Sequence, residues 1–177
     1  MKAIVLFSGG LDSTTALYVA CRDGKEPVCL SIRYGQLHER EISSAKKIAA
    51  SLKLEHWIIP ISLPWGGSAL TDSRLAIPKG REEGEIAKEI PVTYVPARNS
   101  IFLSLAASLA ETKGADTIYF GANALDYSGY PDCRPEFLEA FEVLIRKGTK
   151  AGTEGRMLHV EAPLLHLSKG EIVQLAH

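Results

Sequence analysis

The stretch Ser8-Gly9-Gly10-Leu11-Asp12-Ser13 (SGGLDS) stands between the first apolar run of the chain and the first segment of helical character. The run before it, AIVLF at 3–7, is rich in strand-forming residues and too short for an ordinary helix. Residues 14–22 carry apolar side chains at helical spacing, and we place Cys21 among their buried groups. SGGLDS therefore connects a buried strand to a helix, as in an α/β fold.

The chemistry of this turn suits an anion. Two glycines let the backbone bend sharply and keep side chains away from a ligand. The helix that follows offers unpaired N–H groups and the positive end of its dipole, and Ser8, Ser13 and Thr14 add hydroxyl donors. These features together are typical of a phosphate-binding turn.

A simpler interpretation is a tight turn followed by a helix cap. Two serines, an aspartate and two glycines in one short string favour the phosphate site over that interpretation. The string is neither a Walker A loop, because no Gly-Lys-Ser/Thr follows, nor the G-x-G-x-x-G dinucleotide motif.

Composition limits the class of protein. The chain has 177 residues, 46% apolar and 23% charged, which suits one soluble globular domain. The net charge of −1 gives no sign of a nucleic-acid surface, and no apolar run is long enough to span a bilayer. The first residues do not form a signal peptide. Three cysteines without a C-x-x-C pair predict a reducing, cytoplasmic location.

The apolar pattern predicts a doubly wound α/β domain. Its mainly parallel five-stranded sheet has helices on both faces, and its first strand lies near the topological switch point. The further strands are predicted at 26–33, 56–61, 116–121 and 157–162, and helices at 100–112 and 135–148, besides one that ends near residue 52. Leu144 is placed on the buried stripe of the helix at 135–148. An irregular insertion at about 62–91 predicts a lid or partner contact, with a solvated linker as the alternative.

Polar residues follow several predicted strands at their carboxyl ends, where open α/β sheets bind ligands. Arg98 begins an apolar helix, and its planar fork fits a phosphate or carboxylate better than an unpaired place in the core. Lys169 follows Ser168, which forms a capping box with Glu171, so an anion nearby would offset its unfavourable place at a helix start. For His38 and Glu41 the spacing alone favours a surface pair.

SGGLDS resembles the PP-loop of the N-type ATP pyrophosphatases. Four further segments extend the resemblance to one branch, the 7-cyano-7-deazaguanine synthases of the queuosine pathway: YGQLHERE (34–41), TYVPARN (93–99), GANALDYSGYPDCRPEF (121–137) and PLLHLSKGEI (163–172). The resemblance implies a ligase that converts 7-carboxy-7-deazaguanine and ammonia to the nitrile through adenylated intermediates, with ATP and Mg²⁺.

The resemblance also implies roles for individual residues. The catalytic candidates are Asp12, Arg98 and Lys169. The ATP-binding candidates are Ser8, Gly9, Gly10, Leu11, Asp12, Ser13 and Thr14. The substrate-binding candidates are Tyr34, Gln36, His38, Asn99, Asn123, Asp126, Tyr127, Asp132 and Arg134. Cys133 has no adjacent base, so we assign it no nucleophilic role.

The family resemblance further implies a homodimer with small-molecule partners, no direct contact with nucleic acid and no membrane. It implies a structural zinc held by four cysteines in a C-terminal tail. Cys21, Cys29 and Cys133 lack ligand spacing, so we predict no metal ligands here and expect residues 1–177 to be one PP-loop domain without that tail.

Two alternatives stay open. One is a PP-loop enzyme that amidates or thiolates another substrate, including tRNA, although the near-neutral charge argues against tRNA. The other is a non-catalytic module that binds an adenine nucleotide, which would have no need of the polar loop at 121–134.

Overall fold

A single parallel sheet organises the chain. The computed structural model describes residues 1–34, 40–64, 94–123 and 130–176. Within these ranges five strands lie in the order β3-β2-β1-β4-β5, and every neighbouring pair is parallel. The strands are β1 (Lys2–Leu6), β2 (Glu26–Arg33), β3 (Glu55–Pro60), β4 (Thr117–Phe120) and β5 (His159–Glu161). The predicted five-stranded sheet is confirmed, and it is wholly parallel.

Six α-helices lie in the described ranges: α1 (Leu11–Arg22), α2 (Arg40–Ser51), α3 (Arg98–Lys113), α4 (Pro135–Gly148), α5 (Lys150–Thr153) and α6 (Lys169–Leu175). A short 3₁₀ turn spans Pro131–Cys133. Neither α5 nor the 3₁₀ turn is predicted from the sequence, because both are too short to show a periodic apolar pattern. The insertion predicted at 62–91 falls mostly on residues 65–93, outside the described ranges.

Helices cover both faces of the sheet. Ile4 of β1 packs in a core cluster with Leu103 of α3 and Phe141 of α4. The next residue, Val5, packs in a second cluster with Leu17 of α1. Successive side chains of a strand point to opposite faces, so the two clusters lie on opposite sides of the sheet. The predicted doubly wound arrangement is therefore confirmed.

The topological switch point lies between β1 and β4. From β1 the chain proceeds outward through β2 and β3, and it then returns to place β4 on the other side of β1. The connections after β1 and β4 therefore leave the same edge of the sheet in opposite directions. This arrangement opens a crevice at the carboxyl ends of the two strands.

Two helix faces differ from the prediction. Cys21 is exposed, so the burial predicted for it on α1 is wrong, and Tyr18 on the same helix is 50% exposed. The buried face of α1 consists mainly of small residues, because a helix that lies close to a sheet has little room for larger ones: Ser13, Thr15, Ala16, Leu17, Val19 and Ala20. Leu144 of α4 is predicted to be buried, but it is 59% exposed. Its side chain lies outside the buried stripe of Leu138, Phe141 and Ile145.

No helix in the described part of the chain combines the length and the apolar character that crossing a membrane requires.

Substitution of Gly9 tests how closely the SGGLDS turn packs against α2. Gly9 has φ +85°, and an added Cβ would lie 2.6 Å from the backbone nitrogen of Ala45. Gly24 has a similar φ of +73° but nothing within 4 Å, which makes Gly24→Ala a matched control. We expect Gly24→Ala to lower the free energy of unfolding by about 1 kcal/mol. Gly9→Ala should cost at least about 2 kcal/mol more, because α2 must move.

Urea denaturation of both variants measures the difference. Equal losses for the two variants would contradict the close packing of Gly9.

Candidate active site

A cavity of about 370 Å³ lies at the carboxyl ends of β1 and β4. Its floor includes Leu6 and Phe120 at the ends of β1 and β4, and Leu30 of β2, which lies beside Leu6. Its walls come from the SGGLDS turn and from the beginnings of α2, α3 and α6, with Tyr130 beside the 3₁₀ turn. The volume is in the range of small-molecule sites, and the position is the one that an open parallel sheet favours for a ligand.

The SGGLDS turn is braced by one hydroxyl. The Oγ of Ser13 accepts the backbone N–H groups of Ser8 and Gly9, each at 3.2 Å, and donates to the carbonyl of Gly10 at 3.1 Å. The hydroxyls of Ser8 and Ser13 lie 3.0 Å apart. Ser13 therefore holds the turn in shape, while Ser8, Gly10, Leu11 and Asp12 form the cavity surface with it.

An ion pair joins the first and last helices across the cavity. The Nζ of Lys169 lies 2.9 Å and 3.1 Å from the two carboxylate oxygens of Asp12. Lys169 occupies the first position of α6, directly after the Ser168–Glu171 capping box predicted from the sequence. The Lys169 side chain is 50% exposed and that of Asp12 is 19% exposed, so the pair contributes little to stability, and its main effect is to place a cation beside the SGGLDS turn.

Arg98 enters the same cavity from the first turn of α3. Its Nε donates to Oδ1 of Asn99 at 3.1 Å, and one terminal nitrogen donates to the Tyr34 hydroxyl at 3.4 Å. The guanidinium lies 5.9 Å from the ring centroids of Tyr34 and Phe102. Burial alone would lower the pKa of Arg98, but Tyr34 and the Asp132 carboxylate outweigh it and raise that pKa. Arg98 is therefore a fixed cation.

Three predicted site residues are adjacent to the cavity without lining it. Gly9 packs against α2, and the buried Oγ1 of Thr14 has no hydrogen-bond partner in the described part of the chain. Asp132 is 4% exposed and accepts the backbone N–H of Asn99 at 3.1 Å. All three belong to the layer that supports the cavity surface.

Asn123 and Arg134 also lie outside the cavity lining. The amide of Asn123 donates to the carbonyl of Leu167 at 2.6 Å, which fastens the loop after β4 to the segment before α6. Arg134 is exposed at the start of α4. Four predicted substrate-binding residues lie outside the described ranges, so their prediction is untested: Gln36, His38, Asp126 and Tyr127.

Several cavity residues are missing from the predicted set. Glu41 lines the cavity from the first turn of α2, although its spacing alone favours a surface pair. Gly121 brings the end of β4 against α1, since an added Cβ would lie 3.1 Å from the carbonyl oxygen of Asp12. Tyr130 and Cys133 also line it. The one available signal for these residues is their place just after β2 or β4, at the ligand-binding edge of the sheet.

The three cysteines do not form the zinc site that the family resemblance implies. Cys21 is exposed on α1, Cys29 is buried in β2 and Cys133 is buried at the cavity. Among the described residues no group of three or more His, Cys, Asp or Glu side chains has an arrangement that could hold a metal ion.

Comparison with known proteins identifies the family. The model of the family described as queuosine biosynthesis protein QueC matches residues 2–177. The chain belongs to the QueC family. A 7-cyano-7-deazaguanine synthase from Anaeromyxobacter sp. (strain Fw109-5) is 56% identical over 176 residues, which cover 98% of this QueC chain and 76% of the relative. The family and the ATP-dependent synthase function predicted from the sequence are confirmed.

Solved structures share the fold of this QueC chain at low identity. A predicted subunit of tRNA methyltransferase from Methanocaldococcus jannaschii superposes with a TM-score of 0.58 at 19% identity, covering 99% of this chain and 74% of that one. A 4-thiouridine synthetase solved with RNA and bound ATP gives a TM-score of 0.57 at 23% identity, covering 99% and 39%. These likenesses support the fold alone.

Alkylation tests whether Cys133 is an activated thiol. Burial and, secondarily, the Asp132 carboxylate raise the pKa of Cys133 to about 11. Because the thiolate is the reactive form, Cys133 should resist iodoacetamide at pH 8 and react only as the pH approaches its pKa. Exposed Cys21 should react first, although burial also raises its pKa.

Mass spectrometry of peptides from the native protein measures the rates. Cys29, whose pKa burial raises to about 12, is the internal control. If Cys133 were modified as fast as Cys21 at pH 8, Cys133 would be an activated thiol and the prediction would be wrong.

Proposed function

We propose that the cavity between β1 and β4 is where this QueC chain activates 7-carboxy-7-deazaguanine with ATP and converts it to the nitrile. One observation carries the proposal: a phosphate-binding turn, the Asp12–Lys169 pair and the fixed cation Arg98 meet around one cavity. A carboxylic acid and ATP both carry negative charge, so a site that joins them needs cations beside the reacting groups.

In this proposal ATP lies on the SGGLDS turn, with its phosphates at the start of α1. The N–H groups of a helix start and the dipole of the helix favour an anion there. Ser8, Gly10, Leu11 and Ser13 give the turn its surface, and Gly9 and Thr14 support it from behind, while Ser13 also braces the turn.

Magnesium fits the residues present. Asp12 and Glu41 both line the cavity, and nucleotide-bound Mg²⁺ usually takes one or two protein carboxylates together with phosphate oxygens. When bound, it would neutralise part of the phosphate charge.

The chemistry proceeds in two activations. A carboxylate oxygen of the substrate attacks the α-phosphorus of ATP, and pyrophosphate leaves. Ammonia then attacks the carbonyl carbon of the acyl-adenylate, releasing AMP and a proton to give the amide. The amide oxygen attacks the α-phosphorus of a second ATP, and pyrophosphate leaves again. Loss of AMP and of the two N–H protons then forms the carbon–nitrogen triple bond.

In this scheme the protein positions the groups and stabilises charge. Lys169 and Arg98 offset the charge that develops on each departing pyrophosphate. Tyr34 and Asn99 lie beside Arg98 and are the described candidates for contact with the deazaguanine. Gln36, His38, Asp126 and Tyr127 stay candidates from the sequence. Homodimer formation, a cytoplasmic location and the absence of direct nucleic-acid contact also stay predictions.

Product analysis tests the proposal directly. The chain is incubated with ATP, Mg²⁺, ammonia and 7-carboxy-7-deazaguanine, and the nitrile is followed by mass spectrometry together with pyrophosphate release. We expect the wild type to form the nitrile and Asp12→Asn to lose this activity. Pyrophosphate release that does not depend on the deazaguanine acid would favour another PP-loop reaction. ATP binding without turnover would favour a non-catalytic module.

A pair of lysine variants separates catalysis from stability. Lys25 forms an ion pair with Asp116 at 2.9 Å, the same distance as in the Lys169–Asp12 pair, but near the amino ends of the strands. We expect Lys169→Met to lower kcat by about 100-fold, as expected for loss of one charge-stabilising group. Lys25→Met should leave kcat unchanged. Similar kcat values for the two variants would contradict the role of Lys169.

A further inference from the structure

The start of α3 lacks a cap of its own. Its N-cap residue is Ala97, which has no side-chain oxygen and adopts a left-handed conformation with φ 53° and ψ 21°. Helices usually begin with Ser, Thr, Asp or Asn, whose side chain accepts the N–H of the second or third helical residue. At α3 the second helical residue is Asn99, and its N–H donates to Oδ2 of Asp132 at 3.1 Å. Asp132 therefore caps this helix from another part of the chain.

A second set of contacts ties Asn99 to the same 3₁₀ turn. Its side-chain nitrogen donates to the backbone carbonyl of Asp132 at 3.2 Å and to the Sγ of Cys133 at 3.3 Å. Its remaining side-chain oxygen accepts the Nε of Arg98 at 3.1 Å. Asn99 is 2% exposed, so these contacts are shielded from water. The 3₁₀ turn, Asn99 and the guanidinium form one continuous chain of hydrogen bonds.

The carboxylate of Asp132 is unusually placed for a capping group. It is 4% exposed, and its Oδ1 has no hydrogen-bond partner among the residues that the structure describes. Burial raises the pKa of Asp132, whereas the backbone N–H of Asn99 and the charge of Arg98 act in the opposite direction. The residue that Oδ2 of Asp132 caps is also the one whose side chain accepts the Nε of Arg98, so the cap and the orientation of the cation depend on the same acceptor.

We infer that Asp132 is a positioning residue, which caps α3 from outside and, through Asn99, fixes the guanidinium of Arg98 in the cavity. The inference rests on the proposed function for the role of Arg98, but not for the cap itself. It differs from the sequence prediction that Asp132 contacts the deazaguanine, because Asp132 does not line the cavity. A displacement of about 1 Å at a reacting group can cost 100-fold in rate, so such a residue matters without touching substrate.

Three variants and a control separate positioning from contact with substrate. Asp132→Ala removes the acceptor and the charge, whereas Asp132→Asn keeps an acceptor of the same shape. Arg98→Ala is combined with Asp132→Ala to form a double-mutant cycle. Thr149→Ala is the matched control, since Thr149 caps α5 through the N–H of Gly152 at 3.0 Å, far from the cavity.

We expect Asp132→Ala to lower kcat by about 10- to 100-fold with little change in KM for the deazaguanine acid. In the Arg98→Ala background the same change should alter kcat less than about twofold, because the group it positions is gone. Asp132→Asn should stay within about threefold of the wild type, because its amide oxygen still accepts the Asn99 N–H. Thr149→Ala should lose stability without losing rate. Equal losses from Asp132→Ala in both backgrounds would overturn the inference.

Amide hydrogen exchange measures whether Asp132 caps α3 and requires no enzymatic turnover. The N–H of Asn99 should lose protection in Asp132→Ala and keep it in Asp132→Asn. Unchanged protection in Asp132→Ala would overturn the inference even if activity fell. A wild type that forms no nitrile would refute the proposed function, but hydrogen exchange would still decide whether Asp132 caps α3. Should Asp132→Ala fail to fold, Asp132→Asn decides: a large loss of kcat with protection retained would overturn the inference.

Discussion

Close backbone packing around the SGGLDS turn is the constraint on which the rest of the site depends. Gly9 lies against the backbone of α2, and Gly121 at the end of β4 lies against the first residues of α1. Neither contact leaves room for a Cβ atom to enter freely. The turn is therefore held between a helix and the neighbouring strand, so that the N-terminus of α1 has a fixed direction. A phosphate site made of backbone groups needs this rigidity, because backbone groups cannot adjust by changing rotamer.

Among the described residues that line the cavity, positive and negative side chains are equal in number before any ligand enters. Arg98 and Lys169 provide positive charge, and Asp12 and Glu41 provide negative charge. The Lys169 side chain is half exposed, so a highly charged ligand can draw it away from Asp12 at small cost. Arg98 differs, because aromatic rings and hydrogen bonds hold it in place. The site thus combines one cation that can change partner with one that is fixed.

Local pattern predicts the framework of the fold well and its long-range contacts poorly. β2 is predicted over its full observed range, since Gly24 precedes it and apolar residues dominate 27–32. The burial predicted for Cys21 on α1 is wrong because small residues pack closest to the sheet, which a count of large apolar residues does not reveal. The pairing of Asn99 with Asp132 spans 33 positions of the sequence, and no local rule predicts it. Family resemblance names Arg98, Asn99, Asp132 and Lys169 but cannot separate residues that line the cavity from those behind it.

The strand order also determines when the contacts of the fold can form during translation. β1 is synthesised first and lies at the centre of the sheet, yet its partner β4 begins only at Thr117. Until β4 emerges, one edge of β1 has no strand beside it. Lys169 follows Asp12 by 157 positions, so the ion pair at the cavity forms only when α6 leaves the ribosome. Contacts that are this distant in sequence slow folding, and during translation this would leave an open strand edge for chaperones to shield.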